Sequence, residues 1–358
     1  MMKSDFKNEK FCLFFLKSIR GLKESILADY IKNGFSPKEI LQTPPSALQS
    51  IIAEAKNNQK FLTKIRTDFL AYQDAISILD AEYPKLLKTI FDPPLFLFYQ
   101  GNFALLQNQY LLTIVGSRTL TQYHQNTLAS LLADFAQTPL VIVSGLALGI
   151  DALAHYKALE NNLITIAVLG SGFADTVLYP RQNLLLAKKI IQAGGLILSE
   201  YPPETRPNLY QFPKRNRILA GLSKSTLVIS GAQKSGTLIT AQCAIDNGRE
   251  VYALPGNINF YLSSGPNELI AQGANILLNS KEILKIYDLE KTSTSNFISL
   301  TKDEQNVCQY LKQENHTFTQ LQNKLQIPAG QLNKTLSQLE LKNLISLNQL
   351  NEWEINHL

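Results

Sequence analysis

Four short stretches set backbone amides, hydroxyls and cations where they could hold an anion. In IVGSR (114–118) a glycine, Gly116, lets the backbone approach a ligand, and the Ser117 hydroxyl and Arg118 follow it. Such amides and side chains suit phosphate. YPRQN (179–183) puts Arg181 and Asn183 at a helix start. FPKRNR (212–217) gathers Lys214, Arg215 and Arg217 around Asn216. SGAQKSGT (230–237) places Lys234, Ser235, Gly236 and Thr237 ahead of a helical segment. The GxxxxGK[ST] spacing of a nucleotide-hydrolysing loop is absent, so ATP hydrolysis is not supported.

The FPKRNR stretch has a geometric consequence. With Asn216 as helix cap, Arg217 becomes the first helical residue, and Lys214 and Arg215 lie in the entering loop. On an ideal helix, positions 215 and 217 point about 160° apart. They cannot both meet one phosphate from a regular helix. Arg215 is therefore expected to touch the ligand, and Arg217 to brace a neighbouring loop through Glu200.

SGLALGIDALAH (144–155) supplies Ser144, Gly145 and Gly149, then Asp151 and His155 at i, i+4 on a helix. A hydrolase would use that pair to serve Ser144. No GxSxG elbow accompanies it, and a first-turn cap with a neighbouring histidine accounts for the same residues.

The elements that must position these loops are legible as alternation. Apolar, β-branched runs at 111–118, 139–145, 163–172, 195–200, 225–236, 250–256 and 274–279 read as strands buried on both faces. Helical segments at 121–137, 183–193, 236–248 and 266–272 separate them, which implies crossover connections and a mostly parallel sheet. The Gly, Ser, Arg, Glu and Pro residues fall at strand C-ends, the side on which open α/β sheets bind ligands. Residues 1–80 read as a helical domain and 81–288 as the sheet domain. Residues 289–298 read as a polar linker. Residues 299–358, three helices and a hairpin, resemble a winged helix.

Composition narrows the function classes. Net charge is only +5, but six of the eight arginines lie between Arg118 and Arg249. Arginine's planar fork suits phosphate, so an anionic ligand is expected in the middle of the chain. The last 60 residues carry five cations against six acids, which argues against an independent grip on nucleic acid there. No run of 18 apolar residues suggests a membrane span. The apolar patch Phe11–Leu16 lacks a small-residue cleavage site and is not read as a signal peptide. Three scattered cysteines argue for a reducing compartment and against zinc.

The motifs in order — VGSR, SGLALGIDALAH, TIAVLGSG, YPRQN, LSEYPPETRPNLYQFPKRNRILAGLS, SGTLITAQCAIDNGREVYALPG and GPNELIAQGA — closely resemble the DNA-processing protein A family (DprA, also called Smf) over residues 111–274. The resemblance implies an extended Rossmann-like domain, a SAM-like helical N-terminal domain and a winged-helix C-terminal domain. It implies a cytoplasmic, non-enzymatic, homodimeric protein without cofactor or metal. Such a protein binds single-stranded DNA and loads RecA recombinase on DNA taken up in natural transformation. Carried over by motif, Arg118, Arg181, Lys214, Arg215, Asn216 and Arg217 become phosphate contacts. Gly116, Ser117, Ser144, Gly145, Lys234, Ser235 and Gly236 line the same rim. Leu269, Ile270 and Ile276 match the dimer and RecA-contact region.

Leu148 stands where the family usually has arginine, and Ser230-Gly231 where it has Glu-Ala. The loop before Tyr179 is about two residues longer than usual. RGLKES lacks the second glycine of a hairpin DNA contact, so the N-terminal domain is not assigned DNA binding. Arg118→Ala and Arg215→Ala are each expected to weaken binding while leaving the fold intact. The alternative class is a nucleoside-monophosphate phosphoribohydrolase with Glu200 as its carboxylate. Dinucleotide binding would need GxGxxG after the first strand.

Overall fold

A computed structural model describes residues 5–72, 74–289, 301–311, 314–341, 344–348 and 351–355. The chain divides into two compact units, Met1–Leu289 and Glu290–Leu358. The expected linker, apart from residue 289, lies outside the described residues.

The first unit opens with helices α1 (Glu9–Ser18), α2 (Glu24–Lys32), α3 (Pro37–Gln42), α4 (Gln49–Asn57) and α5 (Gln59–Ala71). Asn8 caps α1 by accepting from the Phe11 amide, and Ser36 with Glu39 forms a capping box on α3. The patch Phe11–Leu16 is buried throughout. Phe14 meets Phe96 edge-on at 5.5 Å between ring centroids, so the helices share a core with the sheet.

The sheet has nine strands in the order β1-β2-β6-β5-β4-β3-β7-β8-β9. They are β1 (Ile76–Ser77), β2 (Phe96–Gly101), β3 (Leu111–Val115), β4 (Val141–Ser144), β5 (Thr165–Leu169), β6 (Leu196–Ser199), β7 (Ser225–Val228), β8 (Glu250–Ala253) and β9 (Asn275–Ile276). From β6 to β9 all pairings are parallel. These are the seven runs the sequence marks. Strands β3 to β7 are buried along their whole length because helices cover both faces. The antiparallel β1 and β2 are additions: β2 falls in residues 82–102, whose sequence reads as a proline-punctuated connection, and β1 in residues 1–80, whose sequence reads as helical.

The intervening helices are α6 (Lys85–Lys88), α7 (Gln122–Asp134), α8 (Ile150–Glu160), α9 (Leu184–Gln192), α10 (Gln211–Leu222), α11 (Gly236–Asp246), α12 (Ser264–Ala271) and α13 (Ser280–Ile286). Sequence order reverses between β3 and β7, which are direct neighbours. That switch point leaves a crevice beyond the strand C-ends.

The second unit packs α14 (Lys302–Leu311), α15 (Phe318–Leu325) and α16 (Ala329–Leu341) with a hairpin of β10 (Ile345–Leu347) and β11 (Trp353–Ile355). Its own core includes Val307, Leu321, Leu336 and Ile345. Among the described residues no helix is long and apolar enough to cross a membrane.

Candidate nucleic-acid interface

A cavity of about 480 Å³ occupies the crevice at the switch point. Its walls are the loops after β3 (Gly116, Ser117, Arg118) and β4 (Gly145, Leu148), helix α10 (Phe212, Arg215, Asn216) and the start of α11 (Ser235, Gly236, Thr237). Close backbone packing builds these walls. A Cβ on Gly116 would lie 2.5–2.7 Å from Ile150 carbons. Gly149 has φ +82°, a left-handed value that favours glycine, and precedes α8.

Arg118 is exposed at the mouth and makes no ion pair or hydrogen bond among the described residues. The backbone around it is pinned. The Ser117 amide donates to Ser230 Oγ at 3.0 Å, and the Ile150 amide to the Ser117 carbonyl at 3.0 Å. Ser230, half of the departure from the family's Glu-Ala pair, therefore holds the IVGSR loop without a carboxylate.

Helix α10 begins earlier than its sequence suggests. Its first residue is Gln211 and its N-cap is Tyr210, so Lys214, Arg215 and Asn216 are all helical. Asn216 caps nothing in α10. Instead its Nδ2 donates to the Gly236 carbonyl at 3.0 Å, tying α10 to the start of α11. Pro213 sits in the first turn, where its missing N–H has no helical partner to lose. The expectation that Lys214 and Arg215 lie in an entering loop, with Arg217 as first helical residue, is therefore corrected.

Arg215 is 7% exposed. Its Nη1 donates to the Gly145 carbonyl at 2.7 Å and to the Val168 carbonyl, and its Nε donates to Asn216 Oδ1 at 3.2 Å. Asp151, whose carboxylate accepts from the Gly145 amide at 3.2 Å, lies close to the same glycine. Burial lowers the Arg215 pKa, Asp151 raises it, and the Arg118 charge lowers it again, with a net fall. Two arginines thus converge on a cavity whose one lining carboxylate among the described residues, Asp151, is already engaged. A buried cation in that setting is stabilised by an anion. Ser235 Oγ, buried and without a hydrogen-bond partner among the described residues, and the free amides at the start of α11 add donors.

The other expected residues separate from this group. Arg217 turns away from the cavity, giving Nη2 to Glu200 at 2.5 Å and Nε to Asp92 at 3.1 Å. Lys214 lies 3.4 Å from Glu200 and 3.8 Å from Glu24. Ser144 is fully buried and donates to the Ile114 carbonyl at 2.6 Å, so it does not line the rim. Arg181 and Lys234 are exposed but are not part of the cavity lining, although their neighbours Pro180 and Ser235 are. Glu200, which an N-glycosidic cleavage would require at the ligand, is likewise outside the lining. Leu269 is buried, Ile270 half-buried, and Ile276 lies exposed on the edge strand β9. Phe212 lines the cavity but is not among the expected contacts, although it opens FPKRNR; its ring packs against Tyr179 at 5.5 Å. An aromatic residue before each proline, Tyr179-Pro180 and Phe212-Pro213, is the available signal for it. Asp92, 3.1 Å from Arg217 Nε, lies outside the lining.

His155 is fully buried, with Nδ1 2.7 Å from Thr165 Oγ1. Burial, and then the Arg215 charge, push its pKa down to about 3. A base with a depressed folded pKa is protonated more readily in the unfolded chain, so stability falls as pH drops below the ordinary histidine value. The loss should approach 1.4 kcal/mol per pH unit between about pH 6 and 4. Urea unfolding across that range checks it, and His155→Gln should flatten the slope.

A family model for DNA recombination-mediator protein A matches residues 74–288. The DNA processing protein DprA of Bacillus subtilis is 40% identical over 238 residues, covering 65% of this chain and 79% of the relative. The protein Smf of Escherichia coli is 43% identical over 208 residues, covering 58% of this chain and 54% of the relative. The crystal structure of DNA processing protein A from Streptococcus pneumoniae aligns with a TM-score of 0.67 at 34% identity, over 77% of this chain and 97% of that one. DNA processing protein A from Helicobacter pylori, solved for its single-stranded DNA binding mode, aligns with a TM-score of 0.52 at 32% identity, over 57% and 93%.

Proposed function

The chain belongs to the DNA recombination-mediator protein A family, and from that premise we propose that it processes DNA by holding a single strand in the switch-point cavity. The observation that carries this reading is the convergence of Arg118 and Arg215 on one cavity with a single, already engaged carboxylate. Phosphate oxygens supply the missing negative charge. Arg118 is the exposed contact, Arg215 the buried one, and the start of α11 the amide donor. Lys214 and Arg217 act from behind, positioning α10. Arg181 and Lys234 extend the positive rim.

The protein acts as a mediator without catalysing a bond change, loading RecA recombinase on DNA taken up in natural transformation, in the cytoplasm. It does so as a homodimer, joined through the β9 edge and the end of α12 with Ile276 and Ile270; Leu269, expected to share that contact, is buried in the core behind them. The terminal unit is read as a winged helix and the first helices as a SAM-like module, neither assigned a DNA contact.

A gel shift with single- and double-stranded oligonucleotides at two salt concentrations tests the reading. Single strands should bind more tightly, with log K falling by about 0.7 per phosphate contact against log salt. Arg118→Ala should weaken binding about tenfold and flatten that slope by about one contact. A preference for duplex would count against the proposal.

A further inference from the structure

A row of four aromatic rings, none of them in the cavity lining, is joined to the cavity walls through the chain and through backbone hydrogen bonds. Tyr123 and His124 begin α7, five and six residues past Arg118. Phe260 and Tyr261 belong to the loop between β8 and α12. Ring centroids are 5.4 Å apart from Tyr123 to His124, 6.1 Å from His124 to Phe260 and 5.4 Å from Phe260 to Tyr261. The inner ring, His124, is 1% exposed, whereas Tyr123 and Tyr261 are 49% and 57% exposed. Ile258 in the same loop is 86% exposed.

The row is fixed in place and joined to the cavity walls. Tyr123 Oη donates to the Pro255 carbonyl at 2.8 Å, and His124 Nδ1 lies 2.8 Å from Thr121 Oγ1. The Gly231 amide donates to the Leu262 carbonyl at 2.7 Å, and the Gly265 amide to the Gly231 carbonyl at 2.9 Å. These bonds seat the aromatic loop on the 231–237 segment, whose Ser235, Gly236 and Thr237 line the cavity. The segments 117–124, 231–237 and 255–265 contain two cations, Arg118 and Lys234, and no acid. A polyanion meets no repulsion from these segments.

We propose that this row is a stacking ladder for the bases of a single strand whose phosphates occupy the Arg118–Arg215 cavity. Tyr123 and Tyr261 are its outer rungs, and His124 and Phe260 hold them at fixed spacing. This rests on the reading of that cavity as a single-strand site. Exposed rings held beside cations are how proteins bind single strands without reading sequence, since every base offers a π-face. Preorganised rings lose little entropy on stacking.

The test is a titration of the full chain with oligothymidylates of about 4 and about 16 nucleotides, spanning the usual range of site sizes. Tyr123→Ala and Tyr261→Ala should each weaken the longer oligonucleotide about tenfold and leave the shorter one unchanged. Tyr261→Phe, which keeps the ring, should bind like the wild type. Melting temperatures of the two Tyr261 variants should stay at the wild-type value, since that ring is half exposed, whereas Tyr123→Ala, which also loses the bond to Pro255, should fall by no more than about 4 °C. Unchanged affinity for both lengths overturns the ladder, and so does an equal loss at both. A change of oligomeric state with DNA affinity intact overturns it in favour of a protein-contact surface. If the wild type binds neither oligonucleotide, the cavity reading itself falls; if it binds and only Arg118→Ala weakens it, the ladder alone falls.

Discussion

Arg215→Met is expected to abolish single-strand binding and to lower the melting temperature by on the order of 10 °C, whereas Arg118→Ala should weaken binding on an unchanged fold. The sequence alone expects loss of either arginine to spare the fold, but the two arginines face one cavity from different depths. Arg118 is exposed and unpaired among the described residues, so its removal strands nothing. Arg215 is 7% exposed and satisfies the carbonyls of Gly145, just past β4, and Val168, within β5. Methionine fills much of its volume but donates no hydrogen bond. Two buried acceptors lose their donor, and buried Asp151 loses its neighbouring cation. Stranding a buried acceptor costs about 1–3 kcal/mol each, and about 1 kcal/mol moves the midpoint of a domain this large by roughly 2–4 °C. Calorimetry and a DNA titration on both variants check the contrast. An unchanged midpoint for Arg215→Met would reduce Arg215 to a ligand contact, and retained binding would remove it from the site. Gly145→Ala should produce a related lesion, because its Cβ would lie 2.5 Å from Asp151 Oδ2 and 2.6 Å from Arg215 Cζ.

The depth of Arg215 explains what the sequence hides. Five of the seven strands, β3 to β7, are legible because helices cover both faces, which demands continuous apolar runs; β8 and β9, expected to be equally buried, are partly or wholly exposed at the edge of the sheet. The strand β2 escapes because prolines precede it and its last residues, Gln100 and Gly101, are exposed at the end of the sheet pairing. The start of α10 is displaced because Pro213 looks like a boundary while serving inside the first turn. Asn216 looks like a cap, yet its amide is used on α11. The divergence of positions 215 and 217 follows from helical pitch alone, and it survives the change of helix start because both residues remain helical. Which of them is buried against carbonyls depends on β4 and β5, whose approach no local pattern encodes. For the same reason Ser144, last in its strand, points to Ile114 instead of the rim.

Arg217→Ala is expected to be the most destabilising change outside the cavity, again lowering the midpoint by on the order of 10 °C. Glu200 is 2% exposed, and Arg217 and Lys214 are its cationic partners. Burial would raise the Glu200 pKa, but Arg217, Lys214 and Lys17 outweigh it and hold the carboxyl below its ordinary value. Removing Arg217 leaves Glu200 buried with only Lys214 and Lys17 among the cations that lower its pKa, and frees Asp92 as well. The cost falls in the range of about 3–5 kcal/mol for a broken buried pair. Lys214→Ala, at 32% side-chain exposure and longer distances, should cost less than about 1 kcal/mol. The pair also sets a pH response. A carboxylate with a depressed folded pKa stabilises above its unfolded value and loses that contribution as pH falls through the folded one, so the Arg217→Ala penalty should shrink in acid. A double-mutant cycle of Arg217→Ala with Glu200→Ala, run by urea unfolding at neutral and acid pH, measures the coupling directly. Additive losses would mean that the pair is not the brace of α10. A coupling that vanishes in acid would tie the position of Arg215, two residues away on the same helix, to the charge on Glu200.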